Sequence, residues 1–72
     1  MTDNTPTENK PVRVLRLPEV LARTGLSSST IYELINKRLF PHPVNLGTRA
    51  VGWIEGEINE WIAARITASR IK

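Results

Sequence analysis

The tripeptide Gly25-Leu26-Ser27 most restricts what this chain can fold into, because stretches with helical periodicity flank it on both sides. Upstream, Pro18 stands where proline is favoured, at the first position of a helix. Glu19 follows in the first turn, where an acid suits the positive end of the helix dipole. Leu17, Val20 and Leu21 have helical spacing. Gly25 then ends this helix, since glycine adopts the left-handed conformation past a last turn without a Cβ clash. Downstream, Ser27, Ser28 or Ser29 can cap a second helix by accepting a backbone N–H bond. Ile31, Leu34 and Ile35 then form one apolar stripe, and the helix is expected to end near Arg38. Two helices joined by so short a glycine turn make a helix-turn-helix, with Leu26 plugging the angle between them. The same arrangement also suits a plain helical hairpin that binds nothing.

The rest of the chain supplies what a winged version of the motif needs. Arg13 to Leu17 alternate basic and apolar, which suits a short edge strand or an extended lead-in. Phe40-Pro41-His42-Pro43 cannot be helical, because each proline disfavours the helical conformation in the residue before it. Val44-Asn45-Leu46, a Gly47-Thr48-Arg49 turn and Ala50 to Ile54 then read as a β-hairpin. A last helix is expected from about Glu55 to Ser69, with Ile54, Ile58, Trp61, Ile62 and Ile66 on one face. Acids stand in its first turn, and Arg70 and Lys72 follow it. The expected fold is α+β, mainly α: a winged helix-turn-helix with a short β-hairpin wing and a C-terminal helix packed underneath. Residues 1–11 hold one apolar residue and two prolines and are expected to be a flexible tail, leaving residues 12–70 as the domain.

Size and composition favour binding over catalysis. A single domain of 72 residues buries only roughly 60% of its unfolded surface, so a catalytic cleft with its own supporting shell has little room. No Ser/His/Asp set, carboxylate pair in an apolar pocket or glycine-rich phosphate loop is present, so neither a catalytic site nor a small-molecule substrate is expected. His42 is the only histidine and cysteine is absent, which argues against a metal site or other cofactor. The lack of cysteine and of a long apolar run points to the cytoplasm and away from a membrane. A net charge of +3 favours an anionic partner. From Pro11 to Ile54 six basic residues (Arg13, Arg16, Arg23, Lys37, Arg38, Arg49) stand against two acids, Glu19 and Glu33. Glu55, Glu57 and Glu60 lie apart from them near the start of the last helix, so the charge reads as segregated.

The exposed face of the second helix suits double-stranded DNA. Ser29, Tyr32, Glu33, Asn36 and Lys37 lie opposite the apolar stripe, with Ser28 at the helix start. Short hydroxyls allow close approach to a major groove, and the first turns of such a helix are what meet base edges. Lys37 and Arg38 suit phosphate or guanine. Glu33 either accepts from a cytosine amine or pairs with Lys37 one turn on, and the pairing is the favoured reading. At the hairpin tip, Thr48 and Arg49 suit a narrow minor groove, although a solvated turn arginine is the simpler alternative. Trp53, Trp61 and Phe40 fall at apolar-patterned positions and are expected in the core.

Four motifs in order complete this picture: R-L-P-E-V, T-G-L-S-x-S-T-I-Y, F-P-x-P-V-x-L-G-x-R-A-V-G-W and E-I-x-x-W-I. Together, across about Leu15 to Arg65, they resemble the AlpA family of phage and prophage regulators, itself related to MerR-type winged helices and small excisionases. The resemblance implies a sequence-specific regulator of a prophage or integrative element, working in the bacterial cytoplasm at the nucleoid. Such proteins activate transcription of an integrase or excision gene, or act as excisionase-like directionality factors on attachment-site DNA. An integrase, or neighbouring copies of the chain on DNA, are the further partners it suggests. The rival reading is an adaptor that binds an integrase or repressor without touching DNA. Carried over, the recognition positions are Ser28, Ser29, Thr30 and Tyr32, and the wing positions are Thr48, Arg49 and Ala50. Glu33 stands where that family often has a basic residue, which implies a weaker major-groove contact. Gly56 stands where serine is commoner, which slightly weakens the last helix.

Overall fold

The computed structural model describes residues 12–70. In order it contains β1 (Val14–Leu15), α1 (Leu17–Thr24), α2 (Ser28–Asn36), β2 (Val44–Gly47), β3 (Ala50–Ile54) and α3 (Glu55–Arg70). This is the mainly helical α+β winged helix-turn-helix that the sequence leads one to expect. The flexible-tail expectation for residues 1–11 lies outside the described residues, as does Lys72.

The helix junction forms as its residues dictate. Pro18 sits in the first turn of α1, and Gly25 closes it at φ 75°, its N–H donating to Leu21 O. Thr24 ties the turn on both sides: its hydroxyl donates to Val20 O at 2.9 Å and accepts from the Leu26 N–H at 3.2 Å. Ser27 caps α2 by accepting from the Thr30 N–H at 3.2 Å. Because the turn is satisfied internally, the angle between the two helices needs no outside partner.

The far end of α2 departs from the expectation. The helix stops at Asn36, Lys37 is its C-cap, and Arg38 takes a left-handed φ of 62°. Arg38 N–H bonds Ile35 O and Leu39 N–H bonds Leu34 O, at 2.9 and 2.8 Å. These are the two bonds of a Schellman ending, in which glycine normally takes the left-handed position. An arginine there gives no sequence signal of a helix end, which is why the helix reads two residues longer than it is.

β3 is the central strand, with β1 and β2 both antiparallel to it in the order β1-β3-β2. Val14 and Leu15 oppose Ile54 and Trp53, while Val44, Asn45 and Gly47 oppose Gly52, Val51 and Ala50. The odd residue Leu46 makes a bulge. The expected three-residue turn contracts to Thr48-Arg49, because Gly47 belongs to β2. Every residue of β2 is exposed, so β2 and the tip stand away from the core as a wing.

Leu15, Val20, Ile31, Phe40, Trp53 and Ile58 form the buried core, one each from β1, α1, α2, the proline connector, β3 and α3, with none from β2. Trp53 is fully buried and donates its indole N–H to Pro41 O at 3.0 Å. That bond joins the rigid proline connector to the wing strand. Trp61 is a correction: it is half-buried at the edge of the core, edge-on to Phe40 at 4.8 Å, its N–H donating to Leu39 O at 2.7 Å. Ile66 is likewise exposed, because α3 runs past the end of the core after Ile62.

Charge is the other correction. Glu55 is not segregated from the basic middle but folds back onto it, whereas Glu57 and Glu60 make no ion pair among the described residues. Arg23 lies 2.9 Å from Glu55 and 3.1 Å from Glu19, and Arg13 lies 3.9 Å from each of the same two carboxylates. Arg23 also donates to the Asn59 side chain at 3.3 Å, and the Glu55 N–H donates to Arg13 O at 2.8 Å. The Glu19 hydrogen bond is the largest cause raising the Arg23 pKa further above its ordinary value. β1, α1 and α3 are thereby clamped together on the side of the domain formed by these three elements.

Candidate nucleic-acid interface

The exposed face of α2 is built from its first turn outward. Ser28 and Ser29 are exposed, and no acid stands in that turn to cancel the positive helix end. Such an N-terminus suits a phosphate, and the small hydroxyls leave room for close approach. Tyr32 follows on the same face, 43% exposed, with its ring edge-on to Trp53 at 6.5 Å. Since Trp53 belongs to β3, this contact fixes the helix against the strand that carries the wing. Asn36 is exposed one turn further on and belongs to this face, as the helical spacing leads one to expect. Its amide offers a donor and an acceptor side by side, the pattern that matches an adenine edge.

Other members of the expected set take different positions. Thr30 is half-buried on the flank of α2 turned toward α3, where its hydroxyl accepts from Ser27 Oγ at 3.0 Å. Lys37 pairs with Glu33 at 3.3 Å, as the helical spacing leads one to expect, and both side chains are largely exposed. A pair this exposed is worth at most about 1 kcal/mol, so it holds Lys37 only loosely. Arg38 is exposed and has no ion pair among the described residues. Its left-handed backbone, which costs about 1–2 kcal/mol in an L-residue, is a feature that no sequence pattern signals.

At the wing, Thr48 and Arg49 are exposed at the tip and Ala50 is half-buried at the start of β3. The Asn45 amide, with its nitrogen turned inward, donates to Gly47 O at 2.9 Å and Ala50 O at 3.3 Å. The tip is therefore braced from within, which limits the freedom that Arg49 must lose on contact. Two regions thus project polar and basic residues: α2 through Ser28, Ser29, Tyr32 and Asn36, with Lys37 and Arg38 at its C-terminal cap, and the wing through Thr48 and Arg49. Among the described residues no group of three or more His, Cys, Asp or Glu side chains is placed to hold a metal ion. No helix among them is long and apolar enough to cross a membrane.

Comparison with known proteins identifies the family. The family model described as Prophage CP4-57 regulatory protein (AlpA) matches residues 13–66, which is 54 of the 72 residues. The ORF88 protein of Enterobacteria phage P4 is 50% identical over 58 residues, 81% of this chain and 66% of the phage protein. The DNA-binding transcriptional activator AlpA of Escherichia coli (strain K12) is 45% identical over 60 residues, 75% of this chain and 86% of that protein. With a family model covering most of the folded part, and two relatives at such identity, the chain belongs to the AlpA family of prophage regulatory proteins.

Proposed function

We propose that the chain is a sequence-specific DNA-binding transcriptional regulator of a prophage or integrative element. The reading rests above all on one observation: the exposed face of α2 and the wing are braced against each other through Tyr32 and Trp53. The 45% identity to a protein described as a DNA-binding transcriptional activator supports it. In this reading Ser28, Ser29, Tyr32 and Asn36 enter the major groove. Lys37 and Arg38 meet the backbone beside it, and Thr48 and Arg49 meet the adjoining backbone or minor groove, while the half-buried Thr30 and Ala50 support the two elements from behind. Phosphate contacts position such a protein and base contacts give it selectivity. The regulated gene is an integrase or excision gene of the same element, and the protein works at the nucleoid of its host.

A gel shift at two salt concentrations, followed by footprinting on DNA beside an integrase gene, tests this reading. A shift that weakens steeply with salt, and a discrete footprint, are the expected results. An adaptor that binds only an integrase or repressor would give neither, and that outcome refutes the proposal.

A further inference from the structure

Beyond Ile62 the last helix leaves the core, and residues 63–70 are all exposed. An open groove of about 690 Å³ runs between this projecting end and the α1–α2 junction. Its apolar floor is formed by Leu26, Leu34, Leu39, Trp61, Ile62 and Ile66. Leu39 is 59% exposed and Ile66 47% exposed, a large apolar presence for so small a domain. The charged residues along the groove are all arginines: Arg23, Arg65 and Arg70. Arg23 is already held by Glu19 and Glu55. Arg65 lies 5.5 Å over the Trp61 ring, and neither Arg65 nor Arg70 has an ion pair among the described residues.

We propose that this groove docks an acidic, amphipathic helical segment of a protein partner. Its apolar residues would lie on the floor and its carboxylates against Arg65 and Arg70. This site goes beyond the DNA-binding reading and does not depend on it. An apolar floor requires apolar anchors, which a nucleic-acid backbone lacks. An all-arginine rim selects carboxylates over cations. The chain cannot readily supply the occupant itself. Glu57 and Glu60 lie beside Arg38 and the proline connector, and the exposed α3 residues around them, Gly56, Ala63, Ala64 and Thr67, offer no large anchor. Residues 1–11 contain one apolar residue, Met1. From Trp61 to Arg70 the helix wall is about 14 Å long at 1.5 Å per residue. That accommodates about two turns of a partner helix, with anchors at i, i+4 and i+7.

The test uses the full chain and a fluorescent, helix-stapled peptide with leucines at i, i+4 and i+7 and glutamates flanking them. Fluorescence anisotropy is expected to show saturable binding. Ile66→Ser and the double variant Arg65→Glu/Arg70→Glu should each weaken it at least about tenfold. A peptide with lysine for glutamate should bind poorly to the wild type and regain affinity for the double variant. Ile66→Ser, at an exposed position outside the DNA-facing elements, should keep the wild-type gel shift. Peptide binding and DNA binding are separate readouts, so failure of one leaves the other standing. Equal binding of a scrambled peptide, or full affinity in both variants, overturns the proposal. So does a dimer in sedimentation equilibrium that Ile66→Ser dissociates, because it would give the groove to a second copy.

Discussion

Gly52 and Gly47 stand on neighbouring strands of the wing, and the structure assigns opposite outcomes to the same substitution at each. Gly52 lies in the central strand, opposite Val44. A Cβ there would overlap Val14 Cγ1 and come within 3.0 Å of both Leu15 O and Leu46 Cδ1. Leu46 is half-exposed and can turn away, and Val14 can give in part. Leu15 O cannot, because it is backbone of a strand paired with β3. Overpacking of this kind costs about 1–3 kcal/mol. A domain this small has a total stability of about 3–5 kcal/mol, and each kcal/mol moves Tm by about 4–8 °C. Gly52→Ala should therefore lower Tm by roughly 5–20 °C. At Gly47 nothing lies within 4 Å of an added Cβ, and its φ is not left-handed. Gly47→Ala should leave Tm unchanged or raise it, since removing a glycine stabilises by about 0.4–1 kcal/mol through the unfolded chain. Thermal melts of both variants, followed by far-UV circular dichroism, give the comparison. If Gly52→Ala melts as high as Gly47→Ala, the close packing of the three strands at this point is wrong.

Other perturbations separate stability from binding. Arg38→Gly relieves about 1–2 kcal/mol of left-handed strain and loses roughly 0.5–1 kcal/mol to chain entropy, so Tm should rise slightly while the gel shift weakens. A fall in Tm would refute the strain argument, and unchanged affinity would remove Arg38 from the interface. Ser29→Glu should abolish sequence-specific binding with helical circular dichroism intact, and Arg49→Ala should weaken it. Retained binding in the first would take α2 out of the major groove. Trp61→Ala should cost about 2–3 kcal/mol, less than the 3–5 of a fully buried aromatic, because the ring is half-exposed. Complete unfolding at room temperature would show that the ring bears more of the fold than its exposure suggests. The logarithm of DNA affinity should fall with log salt at a slope no steeper than about −3.6, for at most four phosphate contacts (Lys37, Arg38, Arg49 and the exposed Arg16), since Arg13 and Arg23 are engaged elsewhere. A slope near −5.4, the value for six contacts, would return both arginines to the DNA.

What could be read from the sequence was local and periodic. The junction at Gly25, the Ser27 cap and the paired Glu33 and Lys37 each depend on residues a few positions apart, and each forms as its chemistry dictates. The hairpin was legible for the same reason, apart from the single glycine that moved from turn to strand. The misreadings concern features that periodicity does not encode. Arg38 ends a helix in a conformation usually left to glycine, so the true end carried no mark. Ile66 continues the stripe of Ile58 and Ile62 perfectly well, but the stripe outlasts the core it faces. Trp61 also fits the stripe. Its place is set by the Leu39 carbonyl and the Phe40 ring, which arrive from a non-helical connector more than twenty residues away.

Charge shows most clearly why linear order misleads. Counted along the chain, Arg13 and Arg23 belong to a basic middle and Glu55 to an acidic end. Folding reverses the assignment, because β1 lies antiparallel to β3 and so brings Arg13 to the position where α3 begins. Glu55 is the first residue of α3, and α1 presents Glu19 and Arg23 to the same spot. Two arginines and two carboxylates then form a clamp among themselves. A lone surface pair contributes little, but a network of partly covered groups shares the entropy of fixing each side chain among several contacts. The clamp holds the N-terminal strand, the first helix and the last helix together. It thereby leaves the second helix and the wing, joined by Tyr32 and Trp53, free to face outward with Arg38 and Arg49. The net charge of the middle segment overstates the charge available for DNA, and the useful quantity is what remains after the clamp has been subtracted.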